Sequence, residues 1–253
     1  MIKIILLASI LLVNVAHART KCIAHRGAHK NFPENSLMAM EQALLLGIDG
    51  IEFDVRHTQD QVAILFHDPK LKGANSQPGK ICPTDTWIKD LNYQEIQENC
   101  QLPNGQPVPK LEYVLKALAK RNFWAMVEFK DRPTAETLKM IREDWRKQMP
   151  QVRFISYFRN FLPINNSQLI LSIPLMKDAE IKSFGPLNLC WAYTSMDKIK
   201  KCKEVASEVG VWKVEKEQAM KNLMALKVDF ITTDEPELCM KLVKKPLPNT
   251  SVN

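Results

Sequence analysis

Strand-like and helix-like stretches alternate along nearly the whole chain, and that alternation limits the fold more than any other feature. Nine segments carry the β-branched, aromatic or apolar signature of a strand: Cys22–Ala24, Gly50–Val55, Gln61–Phe66, Trp124–Phe129, Val152–Ser156, Leu169–Ile173, Leu189–Tyr193, Gly210–Val214 and Asp229–Thr232. Between them lie helical patterns. Leu37, Met40 and Leu44 share one face of Ser36–Leu46, stopped by Gly47, while Leu111, Val114, Leu115 and Leu118 make an amphipathic stripe. Thr134–Gln148 carries Leu138, Ile141 and Trp145, and a later helix carries Met220, Leu223 and Met224. Strands alternating with helices build a largely parallel sheet. Eight such strands close a TIM (β/α)8 barrel, with Leu189–Tyr193 as the weakest of the nine. No glycine-rich phosphate loop follows the first strand, which argues against an open dinucleotide-binding sheet. Pro69–Pro109 reads as an irregular insertion after the third strand. It holds one short helix, opened by Asn92 with Glu95 three residues on in a capping-box pattern.

Polar residues gather where these strands end. His25-Arg26-Gly27 ends the first, Glu52 and Asp54 lie in the second, His67-Asp68 ends the third, and Glu128 and Lys130 close the fourth. A strand has a period of two, so Glu52 and Asp54 share one face while Ile51, Phe53 and Val55 share the other. Two carboxylates on one face repel, and a hard divalent cation with oxygen ligands is the usual compensation. A solvated strand face is the plainer reading of that alternation alone. In a parallel barrel, however, all these groups converge at the carboxyl-end mouth, where such enzymes carry their sites. Three acids, two histidines, an arginine and a lysine meeting there favour a site.

Met1–Ala18 has a positive start at Lys3, an apolar run from Ile4 to Val15, and the small-x-small triplet Ala16-His17-Ala18, the pattern of a secretory signal peptide. An uncleaved anchor is the competing reading. One domain is expected over 19–243, with a disordered tail at 244–253. The composition, 45% hydrophobic and 25% charged, is that of a globular chain with a full core. The net charge of +7 is spread along lysine-rich helices such as Lys198–Lys203. It favours anionic small molecules or contact with a membrane surface. No basic tract interleaved with aromatics is present, which argues against a nucleic-acid partner. Six cysteines in an exported chain, periplasmic or secreted, suggest disulfides. Cys82 with Cys100, Cys190 with Cys202, and Cys22 with Cys239 are candidate pairs, although spacing alone does not fix connectivity.

The motifs HRG at His25–Gly27, PEN at Pro33–Asn35, EFDV at Glu52–Val55, HD at His67-Asp68, VEFK at Val127–Lys130 and VDFITTDEPEL at Val228–Leu238 resemble the glycerophosphodiester phosphodiesterase family. The resemblance covers nearly all of residues 19–243. It implies a TIM barrel, one divalent cation (Ca²⁺ or Mg²⁺), and cleavage of glycerophosphodiesters to glycerol 3-phosphate and an alcohol. Carried over by position, it makes Glu52, Asp54 and Glu128 metal ligands, and His25 and His67 the acid–base pair. Arg26 and Lys130 become phosphate contacts, and Trp212 lines the pocket. The substrate glycerol's own 2-hydroxyl would attack, and water would then open the cyclic phosphate.

The remaining polar residues read more plainly. His57, placed in a turn, and His29 read as surface or supporting groups. Glu34 stands either beside the metal or on Arg26, Asp68 orients His67 or caps the turn in preference to binding metal, and Asp234 is given a structural role. Two stretches depart from the family pattern: Lys70–Gln77 lacks its usual segment after HD, and Lys213 and Glu215 follow Trp212 where Thr and Asn are common. The second departure bears on head-group preference. Three functions are therefore weighed: an enzyme on water-soluble glycerophosphodiesters; a phospholipase D-like enzyme on lysophospholipid or sphingomyelin, with Trp87 and Ile88 exposed on the insertion; and a non-catalytic binding module.

Overall fold

A computed structural model describes residues 19–119, 123–141, 151–156, 189–192, 195–206 and 208–244. In chain order the strands are β1 (Lys21–His25), β2 (Gly50–His57), β3 (Ala63–Leu65), β4 (Asn75–Ser76), β5 (Cys100–Gln101), β6 (Trp124–Phe129), β7 (Val152–Ile155), β8 (Leu189–Ala192), β9 (Glu208–Val211) and β10 (Phe230–Thr233). Helices Leu37–Leu45, Leu111–Ala119, Ala135–Met140, Met196–Val205, Glu217–Ala225 and Pro236–Lys244 lie between or after them, and Tyr93–Asn99 lies in the insertion. The main sheet runs β7-β6-β2-β1-β10-β9-β8, and every neighbouring pair along that path is parallel. The first strand pairs with the last, so the sheet curls back on itself with its helices outside. This is the TIM-barrel architecture. The expected strand Leu169–Ile173, the far half of the Thr134–Gln148 helix, the leader Met1–Ala18 and the tail from residue 245 lie outside the described residues.

The period of two sorts each strand into an outer and an inner face. Cys22, Ala24, Ile51, Phe53, Val55, Ala125, Val127, Phe129, Val209, Val211 and Ile231 pack outward in the main core. That core includes Leu111, Val114, Leu115, Leu118, Met220, Leu223 and Met224 from the helices, as their spacing predicts. Inside the barrel, Ile23, Met126, Ile155 and Phe230 form a small apolar plug, with Trp124 and Trp212 against it. Gly50 makes this plug possible: a Cβ there would sit 2.6 Å from Ile23 Cδ1 and from Trp124 Cβ, closer than any real contact. Towards the amino end of the strands, Lys21 and Arg153 stack over the Trp124 ring, and Arg153 pairs with Glu208 at 2.7 Å. The plug leaves the carboxyl end as the face where polar inner residues collect.

Three expectations need correction. Gln61–Phe66 is not a parallel stave: β3 returns antiparallel along β2, pairing Val55 with Leu65 and His57 with Ala63. The turn between them, where Gln61 takes a left-handed φ of 65°, is far shorter than the dozen residues a parallel crossover requires. The weakest strand signal, at Leu189–Tyr193, is by contrast borne out over Leu189–Ala192, which form β8 in the sheet. The insertion is not shapeless: Leu71, Cys82, Ile88, Leu91, Tyr93, Ile96, Cys100, Leu102 and Val108 form a second core with Ile64 from β3. Ile88 is thus buried, and Ile81 (86% exposed) joins Trp87 (47%) on the outside. Asn92 does cap the insertion helix by position, but its side chain makes no capping hydrogen bond.

Two disulfides match candidate pairs, Cys82–Cys100 and Cys22–Cys239. Cys202 is also disulfide-bonded, and among the described residues no cysteine is free.

Candidate active site

The mouth of the barrel is built from three adjacent strands, β1, β2 and β6. Parallel register sets His25 beside Glu52, and Asp54 beside Glu128. The inner-face parity of Glu52, Asp54 and Glu128 then turns all three carboxylates into the same space, with oxygens within 4.8 Å of one another. All three residues are buried. Lys130 reaches over them, its Nζ 2.6 Å from Glu128 Oε1 and 3.0 Å from Asp54 Oδ1. Arg26 closes the other side, with Nε 3.0 Å from Asp54 Oδ2 and Nη1 donating to Glu34 at 2.8 Å. Glu34 therefore holds Arg26, the second of its two expected roles.

Local backbone geometry explains the HRG turn. Arg26 and Gly27 both take left-handed φ values, 52° and 83°. A Cβ on Gly27 would come within 2.7 Å of the Ala39 backbone, so the turn tucks under the helix that Ser36 caps. The left-handed Arg26 aims its own amide at Glu52 Oε2, 3.2 Å away.

Electrostatics separates the acids. Burial, reinforced by Asp54 and Glu128, pushes Glu52 well above the carboxylate range. Burial also pushes Glu128 up to about 7, against the pull of Lys130. Asp54 resists the same burial because Lys130 and Arg26 flank it, and its carboxyl lies below the usual value. Burial opposes the charge on Lys130, but Asp54 and Glu128 outweigh it and hold the ammonium charged. Three carboxylates face two cations here; Glu52 Oε1 is buried without a hydrogen bond, while Asp54 Oδ1 is ion-paired with Lys130. An all-oxygen cluster of three crowded carboxyls, with a buried Glu52 oxygen left without a partner, fits a hard divalent cation.

Beside the acids stands His25, buried, its Nδ1 2.7 Å from Asp234 Oδ1 and its Nε2 3.8 Å from Glu52 Oε2. Burial lowers its pKa, partly countered by Asp234. A neutral imidazole giving its Nδ1 proton to Asp234 leaves a lone pair on Nε2, which faces the acids. Asp234 itself accepts from His25, His29 (2.8 Å) and Lys213, and these donors overcome its burial and hold it far below the ordinary range. His67 follows β3, its Nδ1 2.8 Å from Asp68 Oδ1 as expected. Trp212 lies just past β9 against the barrel plug. The eight expected site residues lie in or just past β1, β2, β3, β6 and β9.

Sequence reading missed several partners. Asn35, in a left-handed turn, donates Nδ2–H to Asp54 Oδ2 at 2.9 Å and accepts the Asp54 amide at 3.0 Å. It is the residue that fixes the Asp54 carboxylate, and the Asn in the PEN turn was the available signal. Asp234 belongs to the His25 network, where a structural role was expected, and His29 joins it through Asp234 as one of the supporting groups expected. His57 is not in a turn: it ends β2, is buried, and bonds Thr137 Oγ1 at 3.0 Å.

Comparison with known proteins agrees with this fold. Residues 25–172 match the model of the Glycerophosphoryl diester phosphodiesterase family. A glycerophosphodiester phosphodiesterase of Caldanaerobacter subterraneus is 26% identical over 90% of this chain and 99% of its own length, and one from Bacillus altitudinis is 26% identical over 88% and 98%. Among solved structures, a glycerophosphodiester phosphodiesterase from Parabacteroides distasonis superposes with a TM-score of 0.71 at 28% identity, covering 89% of this chain and 97% of the other. An Oleispira antarctica phosphodiesterase, solved with its product sn-glycerol-3-phosphate, shares the fold at a TM-score of 0.71 and 15% identity, over 90% and 98% of the two chains.

Proposed function

This chain belongs to the glycerophosphoryl diester phosphodiesterase family and is a phosphoric diester hydrolase, and we propose that it cleaves glycerophosphodiesters to glycerol 3-phosphate and an alcohol with His25 and His67 as proton carriers. The observation that carries this reading is the meeting of three buried carboxylates with an Asp-oriented histidine at one barrel mouth. Glu52, Asp54 and Glu128 would hold one divalent cation, Ca²⁺ or Mg²⁺, which when bound lends positive charge against the phosphoryl oxygens.

The chain's own residues do the rest. Arg26 and Lys130 lie on either side of the acids and offer donors to the non-bridging oxygens of a phosphodiester. One imidazole takes the proton from the attacking 2-hydroxyl of the glycerol, and the other gives a proton to the departing alcohol oxygen. The two exchange roles when water opens the cyclic phosphate. Asp234 and Asp68 each engage an Nδ1, which fixes the ring and leaves Nε2 for the proton in flight. Trp212 would form one wall of the substrate space.

Disulfide use and the leader-like start support export to an oxidising compartment, with Arg19 near the mature amino end. Water-soluble diesters are the preferred substrates. A lipid substrate is the second reading, favoured by the exposed Ile81 and Trp87 on the insertion.

The test is hydrolysis of glycerophosphocholine by His25→Ala, His67→Ala and chelated wild-type protein. Each substitution is expected to cut kcat by roughly 10²- to 10⁴-fold with Tm retained, and thorough chelation should stop turnover. Full activity in either variant removes that histidine from the reaction, and full activity after chelation removes the cation. A panel scoring released glycerol 3-phosphate against released head group, on soluble diesters and lysolipids, separates the two substrate readings.

A further inference from the structure

His67 stands outside the strand ladders, on the segment that follows β3, and so lacks the rigid stave that carries His25. What holds its peptide is Arg56. Arg56 has the same parity on β2 as Glu52 and Asp54 but lies one step nearer the rim. Its Nε donates to the His67 carbonyl oxygen at 2.8 Å, and its Nη1 donates to Asp131 Oδ1 at 2.8 Å. The other Asp131 oxygen accepts the His57 amide at 2.8 Å, which ties Asp131, just beyond β6, back to the end of β2. The neighbouring Phe66 amide donates to the Asp54 carbonyl at 3.1 Å. The His67 segment is therefore anchored to β2 at two consecutive residues, once by backbone and once by a guanidinium that Asp131 keeps in place. The Arg56 side chain is largely buried, and both of these partners belong to the protein.

We propose that Arg56 and Asp131 are positioning residues for the reaction: a clamp that sets the His67 imidazole against the Asp54 side of the site, without touching substrate. The clamp rests on the role given to His67 above. A planar guanidinium suits it because two fixed N–H directions meet two acceptors at once, which an ammonium on a flexible stem does not reproduce. A substrate-binding arginine would instead be expected to raise KM when removed.

The test measures kcat and KM on glycerophosphocholine for Arg56→Ala and Asp131→Ala, each in wild-type and His67→Ala backgrounds, with Tm recorded throughout. The expected result is a fall in kcat of roughly 10- to 100-fold, as for a displaced catalytic group, with KM little changed. In the His67→Ala background no further loss should follow, because the clamp has nothing left to position. If the alanine variant does not fold, Arg56→Lys, which keeps charge and stem, carries the same comparison. Unchanged kcat, a change confined to KM, or an equal loss in both backgrounds overturns the clamp. An active His67→Ala enzyme would overturn the His67 assignment itself, and the clamp with it.

Discussion

The barrel mouth and the 69–109 insertion treat buried groups in opposite ways. At the mouth, three carboxylates crowd together, Glu52 is driven towards its neutral form, and a Glu52 oxygen is left without a hydrogen bond. In the insertion, the buried residues are apolar or half of a disulfide, and the buried Tyr93 hydroxyl donates to the Val108 carbonyl at 3.1 Å. One region accepts destabilising chemistry; the other stabilises itself. The contrast teaches where each can be altered: the mouth should respond in rate, the insertion in stability.

Three variants sharpen or break that contrast. The largest effect is expected at the mouth from Asp234→Asn. An amide in place of the carboxylate weakens the hold on the His25 Nδ1 proton, and kcat on glycerophosphocholine should drop roughly 10- to 100-fold, the usual cost of losing an outer partner of a site residue. Kinetics at wild-type level would mean that Asp234 serves the fold alone. In the insertion, Cys82→Ser with Cys100→Ser should lower stability by about 3 kcal/mol, since the bridge closes a short loop in the unfolded chain. Steady-state rates on a soluble diester should hold. A rate collapse without loss of stability would erase the distinction between the two regions.

The smallest effect belongs to His57, which lies between them. Burial lowers its pKa, so the unfolded chain takes up the proton first as pH falls. Its contribution to stability is full above the unfolded value near 6.5 and is lost as pH drops below it. His57→Phe, stacking on Phe129 as His57 does, should flatten this acid-side decline relative to wild type. Parallel stability-versus-pH curves for the two proteins would show that His57 does not titrate differently on folding.

Much of the mouth was legible because it obeys the strand period. Glu52, Asp54 and Glu128 are separated from Ile51, Phe53 and Val127 by parity alone, and parallel register then brings the acids together. The helices announced themselves through stripes such as Leu111, Val114, Leu115 and Leu118. What escaped were features that depend on how the chain returns on itself locally or brings distant turns together. An apolar triplet such as Ala63–Leu65 reads the same parallel or antiparallel, and only the tightness of the turn at Gln61 decides. Ile88 and Trp87 look equally apolar in sequence, yet one enters a local core that no periodicity reveals. Asn35 and Asp234 are polar residues in turns, ordinary until Asp54 and His25 come within reach from 19 and 209 residues away.

The Cys22–Cys239 bridge spans 217 residues and lands beside the seam where β1 meets β10. Chain-entropy reasoning gives such a closure about 5 kcal/mol over its reduced counterpart. It also decides where the cylinder can come apart. With its first stave bolted to its last helix, loosening must begin at some other joint, and the histidine three residues past Cys22 stays seated while more distant staves breathe.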